Sequence, residues 1–338
     1  MSRRIVAFAI SLAGHVRGGL GVVAIFAAII LASLSGSAAA DTAALVTMLL
    51  PMMRGAGHDE ARSVGLLASG GIIAPIIPPS IAYIIFGVAT NLSITQLFMA
   101  GIVPGVMMGL GALAAWMVVS RLDNVEPLPR ATWAERGRAT RDAIWALGLP
   151  VIILGGIRFG IVTPTEAAVV AVVYALFVGL VVYRELKPSQ LFEVFRNAAT
   201  TTAVVMLLAA AALATAWFVS IADLSGIVLS LVEPLIEHPK ILMAVIMLLI
   251  VAVGTALDMG PTILILAPVL LPVVKEAGID PIYFGVLFVI NCAIGLVTPP
   301  VGIALSVASG VSGVPMHRAA LGAMPFMIAQ IGVLFLLV

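Results

Sequence analysis

Four short segments interrupt the apolar runs of this 338-residue sequence, and they hold the groups best suited to bind an ion or an anionic solute. They are residues 35–41 (SGSAAAD), 74–80 (APIIPPS), 254–258 (GTALD) and 295–300 (GLVTPP). Hydroxyls and unpaired backbone carbonyls in such segments can replace the water around a hard cation such as sodium. A helix that begins directly after such a segment places its positive end there, which suits an anion. The residue types therefore indicate ion and solute binding.

Asp41 is the strongest single candidate among these groups. A carboxylate inside an apolar membrane segment costs roughly 2.5–3.5 kcal/mol on insertion scales, which makes it a functional candidate by default. The alternative is local, because Asp41 or Ser37 can instead cap the helix that follows by accepting from its first amides. The two roles can coexist. For the four segments together, the alternative is a set of kinked helices that bind no ion.

The composition is that of an integral membrane protein in a lipid bilayer. Hydrophobic residues make up 62%, charged residues 10%, and the mean hydropathy is +1.22. Soluble domains have roughly 45–50% apolar and about 25% charged residues. The single cysteine excludes a disulfide framework. We find no phosphate-cradling loop, nucleophile motif or nucleic-acid signature, so the sequence predicts no organic cofactor, no ATP, no nucleic-acid partner and no enzyme activity.

The parts of the sequence that contain these four segments form an internal repeat. Residues 33–105 align without a gap with the sequence 221 positions later, so that Pro78-Pro79 falls on Pro299-Pro300 and Gly101 falls on Gly322. Such repeats are typical of transporters in which broken helices from two halves meet near the bilayer midplane.

Apolar run lengths predict three kinds of membrane element. Crossing a bilayer takes about 20 apolar residues, and five stretches qualify: residues 97–119, 143–159, 164–183, 200–221 and 321–338. Two pairs of arms of about 13–16 residues each predict re-entrant hairpins over residues 18–53 and 240–274. Two longer runs, residues 61–90 and 283–311, contain the Pro-Pro pairs and predict broken transmembrane helices, because proline removes a backbone donor and unwinds the helix.

The predicted organisation follows from these elements. It consists of a first repeat over residues 1–120, a cytoplasmic loop over 121–142, scaffold-type helices over 143–221 and a second repeat over 222–338. Thr163-Pro164-Thr165-Glu166 predicts a helix start within the scaffold part.

The charges orient these elements. If each hairpin enters and leaves on its own side, only Arg158, Lys240 and Lys275 of the 17 Lys and Arg residues lie on one side. The other side, which carries the excess of positive charge, is then cytoplasmic, and the two repeats are inverted.

The segments closely resemble motifs of the large membrane subunit of TRAP (tripartite ATP-independent periplasmic) transporters, DctM-like proteins. The motifs are SGSAAAD (35–41), APIIPPS with SITQLFMAGIVPG (74–105), GIVTPTEAA (160–168), and GIDPIYFGV with GLVTPPVG (278–302). They span nearly the whole chain in the family's order. The resemblance implies an all-α, elevator-type secondary transporter of the bacterial inner membrane that imports an organic acid with sodium. The acid would be a dicarboxylate, sialic acid or a similar carboxylate. A small TRAP membrane subunit and a periplasmic substrate-binding protein would be its partners.

The resemblance also implies site residues, carried over by motif. They are Ser35, Ser37 and the carbonyls of Ala74, Ile77 and Pro79 for one sodium ion; Gly254, Asp258, Thr298 and Val301 for another; and Asp41 and Ser80 near the substrate path. Two positions depart from the common pattern: Ala74 stands where many relatives have Gly, and Asp258 where Glu is also common. Relatives usually begin well before the position of Met1, so we expect a chain that is N-terminally truncated relative to the family.

Three other functions are compatible with parts of the pattern. A proton-coupled or binding-protein-independent carboxylate carrier would use Asp41 and Asp258 as proton sites. An intramembrane enzyme would need these two carboxylates to face each other, yet the repeat offset misaligns them by four residues. A purely structural membrane scaffold would need neither.

Overall fold

The computed structural model describes residues 1–123, residue 125 and residues 128–338, and these fold into α-helices without a described strand. A first helix, α1 (Ser2–Ala13), precedes the first half. The helices of the first half are α2 (Gly19–Ser35), α3 (Ala38–Gly55), α4 (Glu60–Gly71), α5 (Ile81–Thr90) and α6 (Ile94–Val119). The middle helices are α7 (Trp133–Arg158), α8 (Pro164–Phe177), α9 (Pro188–Ile221) and α10 (Leu224–Ile236). The helices of the second half are α11 (Pro239–Gly254), α12 (Met259–Glu276), α13 (Pro281–Gly295), α14 (Ile303–Ser312) and α15 (Met316–Leu337).

The helix bounds of α2–α6 correspond to those of α11–α15 when 221 is added to each residue number, within two residues at most ends. Equivalent residues also begin equivalent helices. Asp59 Oδ1 accepts from the amide of Arg62 at 2.8 Å, and Asp280 Oδ1 accepts from the amide of Tyr283 at 2.8 Å. A capping carboxylate satisfies an amide that has no partner within the helix, so these acids fix where α4 and α13 begin.

The Pro-Pro pairs interrupt the helices where the sequence predicts. The chain is non-helical between α4 and α5 and again between α13 and α14, and both Pro-Pro bonds are cis. We call residues 72–80 break 1 and residues 296–302 break 2. Likewise, tip 1 is the connection at residues 35–37 between α2 and α3, and tip 2 is the connection at residues 254–258 between α11 and α12.

Six helices are long and apolar enough to cross a membrane, counted over the described part of the chain: Ile94–Leu122, Trp133–Arg158, Pro164–Val182, Pro188–Thr215, Met259–Glu276 and Met316–Leu337. Five of them contain or overlap the predicted spans. The sixth is α12, which the sequence assigned to a hairpin arm. It is 18 residues long because the helix continues through the charged pair Lys275-Glu276.

Capping boxes set the start of two middle helices. Helix α8 begins at Pro164, as predicted, where Thr163 and Glu166 bond each other's backbone amides. Helix α7 begins ten residues before its apolar stretch because Thr132 and Glu135 form a second box. The predicted 121–142 loop therefore becomes helical from Trp133, and its residues 124, 126 and 127 lie outside the described residues.

The core lies between the two halves, and α13 is its most buried helix. All residues from Phe284 to Gly295 are buried. Phe86 of the first half packs on Phe284 and Phe288 of the second, with ring centroids 6.2 and 5.4 Å apart. By contrast, no described residue in the most apolar stretch of α9 is buried, as expected for a helix that faces lipid.

Candidate functional site

Tip 1 lies directly against break 1. Ser35 ends α2, and Gly36 then adopts a left-handed conformation with φ of 63°. A Cβ on Gly36 would lie 2.8 Å from the carbonyl oxygen of Pro79, so only glycine allows this approach. The structure thus brings together the first hairpin connection and the first broken helix, which the sequence predicted as partners.

Hydrogen bonds within tip 1 hold Asp41 in place. Ser35 Oγ donates to Asp41 Oδ1 at 2.5 Å and accepts from the amide of Ser37 at 3.2 Å. Ser37 Oγ accepts from the amide of Ala40 at 3.4 Å, which confirms Ser37 as the helix cap. Asp41 is buried, and its Oδ2 has no partner among the described residues. Its second oxygen therefore remains available to a cation or a proton donor.

Break 1 presents unpaired carbonyl oxygens, as unwinding predicts. Among the described residues, no backbone amide or side chain donates to the carbonyls of Ala74, Ile77 or Pro79. Ser80 is fully buried, donates through Oγ to the carbonyl of Pro75 at 2.5 Å, and accepts from the amide of Tyr83 at 3.3 Å. Ser80 thus caps α5 at the end of the break.

Tip 2 lies against the end of α13, directly before break 2. A Cβ on Gly295 would lie 2.7 Å from the carbonyl carbon of Gly254, so the ends of α11 and α13 touch without intervening side chains. Thr298 Oγ1 donates to the carbonyl of Ile294 at 2.8 Å and is half-buried. Val301 is 44% exposed, and its carbonyl accepts from Ser306 Oγ at 2.7 Å. Break 2 is therefore more open than break 1.

A cavity of about 420 Å³ lies between the two halves. The first residues of four helices line it: Ala38 and Ala39 of α3, Ile81 and Ala82 of α5, Met259, Gly260 and Pro261 of α12, and Ile303 and Ala304 of α14. Helix α9 forms another wall through Thr200, Thr201, Val204, Val205 and Leu208. The volume falls within the roughly 300–1,000 Å³ typical of small-molecule sites.

Two of the predicted site residues, Ser37 and Asp258, line this cavity. Asp258 is exposed and caps α12, since its Oδ1 accepts from the amide of Met259 at 2.8 Å. Asp41, Ser80 and Thr298 lie one or two residues from lining residues but are not among the lining residues that the structure describes.

Sequence reasoning missed the wall formed by α9. The only signal in the sequence was the polar run Thr200–Thr202 at the start of an otherwise apolar span.

The electrostatics of the cavity favour an anion. Each helix N-terminus carries roughly half a positive charge together with amides that lack helical partners, and here four of them surround one space. Among the described residues that line the cavity there is no Lys, Arg or His, and Asp258 is the one charged side chain. Helix ends therefore supply the positive potential.

Apolar spans, interrupted helices and a solute-sized cavity between two similar halves define an integral membrane transporter. The profile of the family described as "Tripartite ATP-independent periplasmic transporter, DctM component" matches residues 1–338. The chain belongs to this family, and it is a transporter of the bacterial inner membrane rather than an enzyme.

Three relatives illustrate the similarity. The "2,3-diketo-L-gulonate TRAP transporter large permease protein" of Escherichia coli K12 is 52% identical over 338 residues, which is 100% of this chain and 80% of the relative. The "C4-dicarboxylate TRAP transporter large permease protein" of Pseudomonas aeruginosa is 37% identical over 97% of this chain and 77% of its own length. The "Sialic acid TRAP transporter large permease protein" of Vibrio cholerae is also 37% identical, with the same two shares.

Proposed function

We propose that this large permease imports an organic acid by sodium symport, together with a small membrane subunit and a periplasmic binding protein that delivers the acid. The observation that carries the proposal is the cavity onto which four helix N-termini converge. Such a site favours a carboxylate, because amides and dipoles stabilise negative charge without a cationic side chain. The relatives named above are all named for organic acids, and their designation as large permeases fits a second, smaller subunit.

Sodium acts in this proposal as a co-transported substrate with two sites. At tip 1, the hydroxyls of Ser35 and Ser37 and the three unpaired carbonyls of break 1 supply neutral oxygen ligands. At tip 2, the backbone at Gly254 and the Thr298–Val301 stretch supply the corresponding set. Neutral oxygens suit a monovalent cation, which must bind weakly enough to be released.

Contacts between helix ends support the inverted arrangement of the two halves. Arg54, at the end of α3, donates to the carbonyl of Ser312 at the end of α14 at 2.8 Å. Arg62 Nη2 lies 2.7 Å from Asp123 Oδ1. Because Arg54, Arg62 and the loop after Ser312 are all assigned to the cytoplasmic side, these contacts agree with that assignment.

Reconstituted transport tests the coupling. We expect proteoliposomes that contain both membrane subunits and the cognate binding protein to accumulate the acid only under an inward sodium gradient. Equal uptake driven by potassium or by a proton gradient would contradict sodium symport and favour the proton-coupled alternative, for which the unpartnered Oδ2 of Asp41 is the candidate group. Uptake without the binding protein would favour the binding-protein-independent carrier.

A further inference from the structure

We propose that Gln330 is a positioning residue for the sodium ion at break 1, although it lies on α15 of the second half and supplies no ligand itself. Its side-chain amide holds the end of α4, where break 1 begins. The inference rests on the proposed function, since the carbonyls of break 1 belong to the first of the two proposed sodium sites.

Helices α4 and α15 form a close seam between the two halves. A Cβ on Gly65 or on Gly322 would overlap the backbone of the opposite helix, so only glycine permits this contact. Nearer the end of α4, Gln330 Nε2 donates to the carbonyl of Ser69 at 3.0 Å, and both residues are fully buried. A buried amide of the second half therefore reaches the last turn of a first-half helix.

The hydrogen bond of Gln330 completes the end of α4. The last four carbonyls of a helix lack partners within the helix. The carbonyl of Ser69 is one of the four, and among the described residues it accepts only from Gln330. Backbone amides of the break satisfy the other three: Ile72 donates to Ala68 at 3.3 Å, Ile73 to Gly70 at 3.1 Å and Ala74 to Gly71 at 3.2 Å.

The same bond determines where the helix stops. In a continuing α-helix the amide of Ile73 would donate four residues back, to the carbonyl of Ser69. Here it donates three residues back, to Gly70, as in a 3₁₀ turn. Without Gln330 the Ser69 carbonyl would be buried and unpaired, which is costly. The amide of Ile73 would then satisfy it, which lengthens α4, shortens break 1 and displaces the carbonyl of Ala74.

The second half has no such bond, and its helix ends later. The repeat offset of 221 places Gly109 opposite Gln330, and glycine has no side-chain donor. The end of α4 at Gly71 corresponds to Cys292, yet α13 continues three residues further, to Gly295. The helix therefore ends early in the half that receives the extra amide.

Sodium binding to the purified permease tests this role. Sodium replaces choline at constant ionic strength, and the sodium concentration at half of the maximal rise in Tm measures binding. Gln330→Met keeps the length of the side chain but lacks the donor, and we expect it to raise this concentration by about 3- to 10-fold, the range for one hydrogen bond. Gln330→Asn keeps the amide on a side chain too short to reach α4, and it should cause the same shift. A purely structural role would lower the Tm without sodium but leave the sodium concentration unchanged, and that result would overturn the inference.

The matched control is Ser69→Ala, which removes the hydroxyl of Ser69 but keeps the carbonyl that Gln330 binds. Its sodium dependence should equal that of the wild type. A shift as large as that of Gln330→Met would mean that sodium binding responds to any change in the seam, and the assignment to Gln330 would be wrong.

Double variants assign the effect to one of the two sodium sites. Gln330 and Ser37 act on the same ion, so Gln330→Met combined with Ser37→Ala should shift the sodium concentration by less than the product of the single shifts. Gln330→Met combined with Thr298→Ala should give the full product, because Thr298 belongs to the other site. The reverse pattern would place Gln330 at the second site and overturn the inference. A wild-type protein whose Tm does not respond to sodium would instead contradict sodium symport itself, and the inference with it.

Discussion

Break 1 and break 2 come from equivalent sequences, yet protein encloses the first and leaves the second partly open. Ala74, Ile77 and Ser80 are buried, whereas Pro299, Pro300 and Val301 are exposed. A glycine lets the tip approach the broken segment in both halves, at Gly36 against the carbonyl of Pro79 and at Gly254 against Gly295. The difference lies in the side chains: serines hold Asp41 and cap α3 and α5 in the first half, whereas Asp258 caps α12 and α14 has no side-chain cap in the second. The two halves therefore share one order of helices but are stabilised by different contacts. The same kind of mutation should change stability or transport to a different extent in each half.

The largest effect is expected where equivalent positions carry different chemistry, at Arg62 and Tyr283. Arg62 binds the nearly buried Asp123, while Tyr283 Oη donates to the carbonyl of Leu337 at 2.6 Å. Arg62→Met should lower the free energy of unfolding by about 3 kcal/mol, because a nearly buried carboxylate loses its arginine. His58 Nδ1 stays 3.3 Å from Asp123 Oδ2 and Arg62 is itself a quarter exposed, and both limit the loss. Tyr283→Phe should cost about 1 kcal/mol, the net value of one hydrogen bond.

Thermal unfolding of the purified protein in detergent measures both changes. If both variants lose the same Tm, Arg62 and Tyr283 stabilise their halves equally, and the proposed difference between the halves is wrong.

An intermediate effect is expected from added volume in the second half. Gly295→Ala places a methyl group 2.7 Å from the backbone of Gly254 and should cost about 1–3 kcal/mol through overpacking. Because the added methyl also separates tip 2 from the end of α13 that leads into break 2, sodium-driven uptake should fall more than 10-fold. Gly310→Ala is the control, since a Cβ there meets no atom within 4 Å. Normal uptake by the Gly295→Ala variant would show that the close contact is dispensable for transport.

The smallest effects are expected for single hydroxyls. Ser37→Ala and Thr298→Ala should each raise the sodium concentration for half-maximal uptake by about 3- to 10-fold, which corresponds to roughly 1 kcal/mol of lost binding energy. Thr47→Ala is a matched control, because Thr47 Oγ1 also donates four residues back, to the carbonyl of Ala43 at 2.7 Å, but lies away from both tips. A sodium dependence unchanged in either variant would remove that hydroxyl from its site.

Much of the fold was predictable because its strongest determinants are local. Pro-Pro pairs cannot continue a helix, and Asp and Ser residues before apolar runs begin helices, so both breaks and several helix starts follow from short segments. The unpaired carbonyls of break 1 follow from the same reasoning. The positions of re-entrant hairpins within a bilayer stay a prediction, since helix bounds alone do not place a membrane.

The features of the site that the sequence did not predict depend on which helices pack against each other. Hydropathy identifies α9 as apolar, but it does not show that the threonines at residues 200 and 201 reach the cavity. Similarly, Gly254 and Gly295 are 41 residues apart, and their contact depends on how α11 packs on α13. The resemblance to the family implies Asp258 as a sodium ligand, and only the structure shows that this residue lines the cavity.

The aromatic contact between the halves can form only after a delay during synthesis. Phe86 lies 198 residues before Phe284, and at roughly 5–20 residues per second the ribosome needs about 10–40 seconds to supply its partner. During that interval the unpaired carbonyls of break 1 exist without the second half of the protein, and unpaired backbone groups are costly wherever lipid replaces water. A nascent chain of this kind needs shelter from the insertion machinery or from neighbouring helices, and a stalled chain that ends before α13 should be a preferred substrate for membrane proteases.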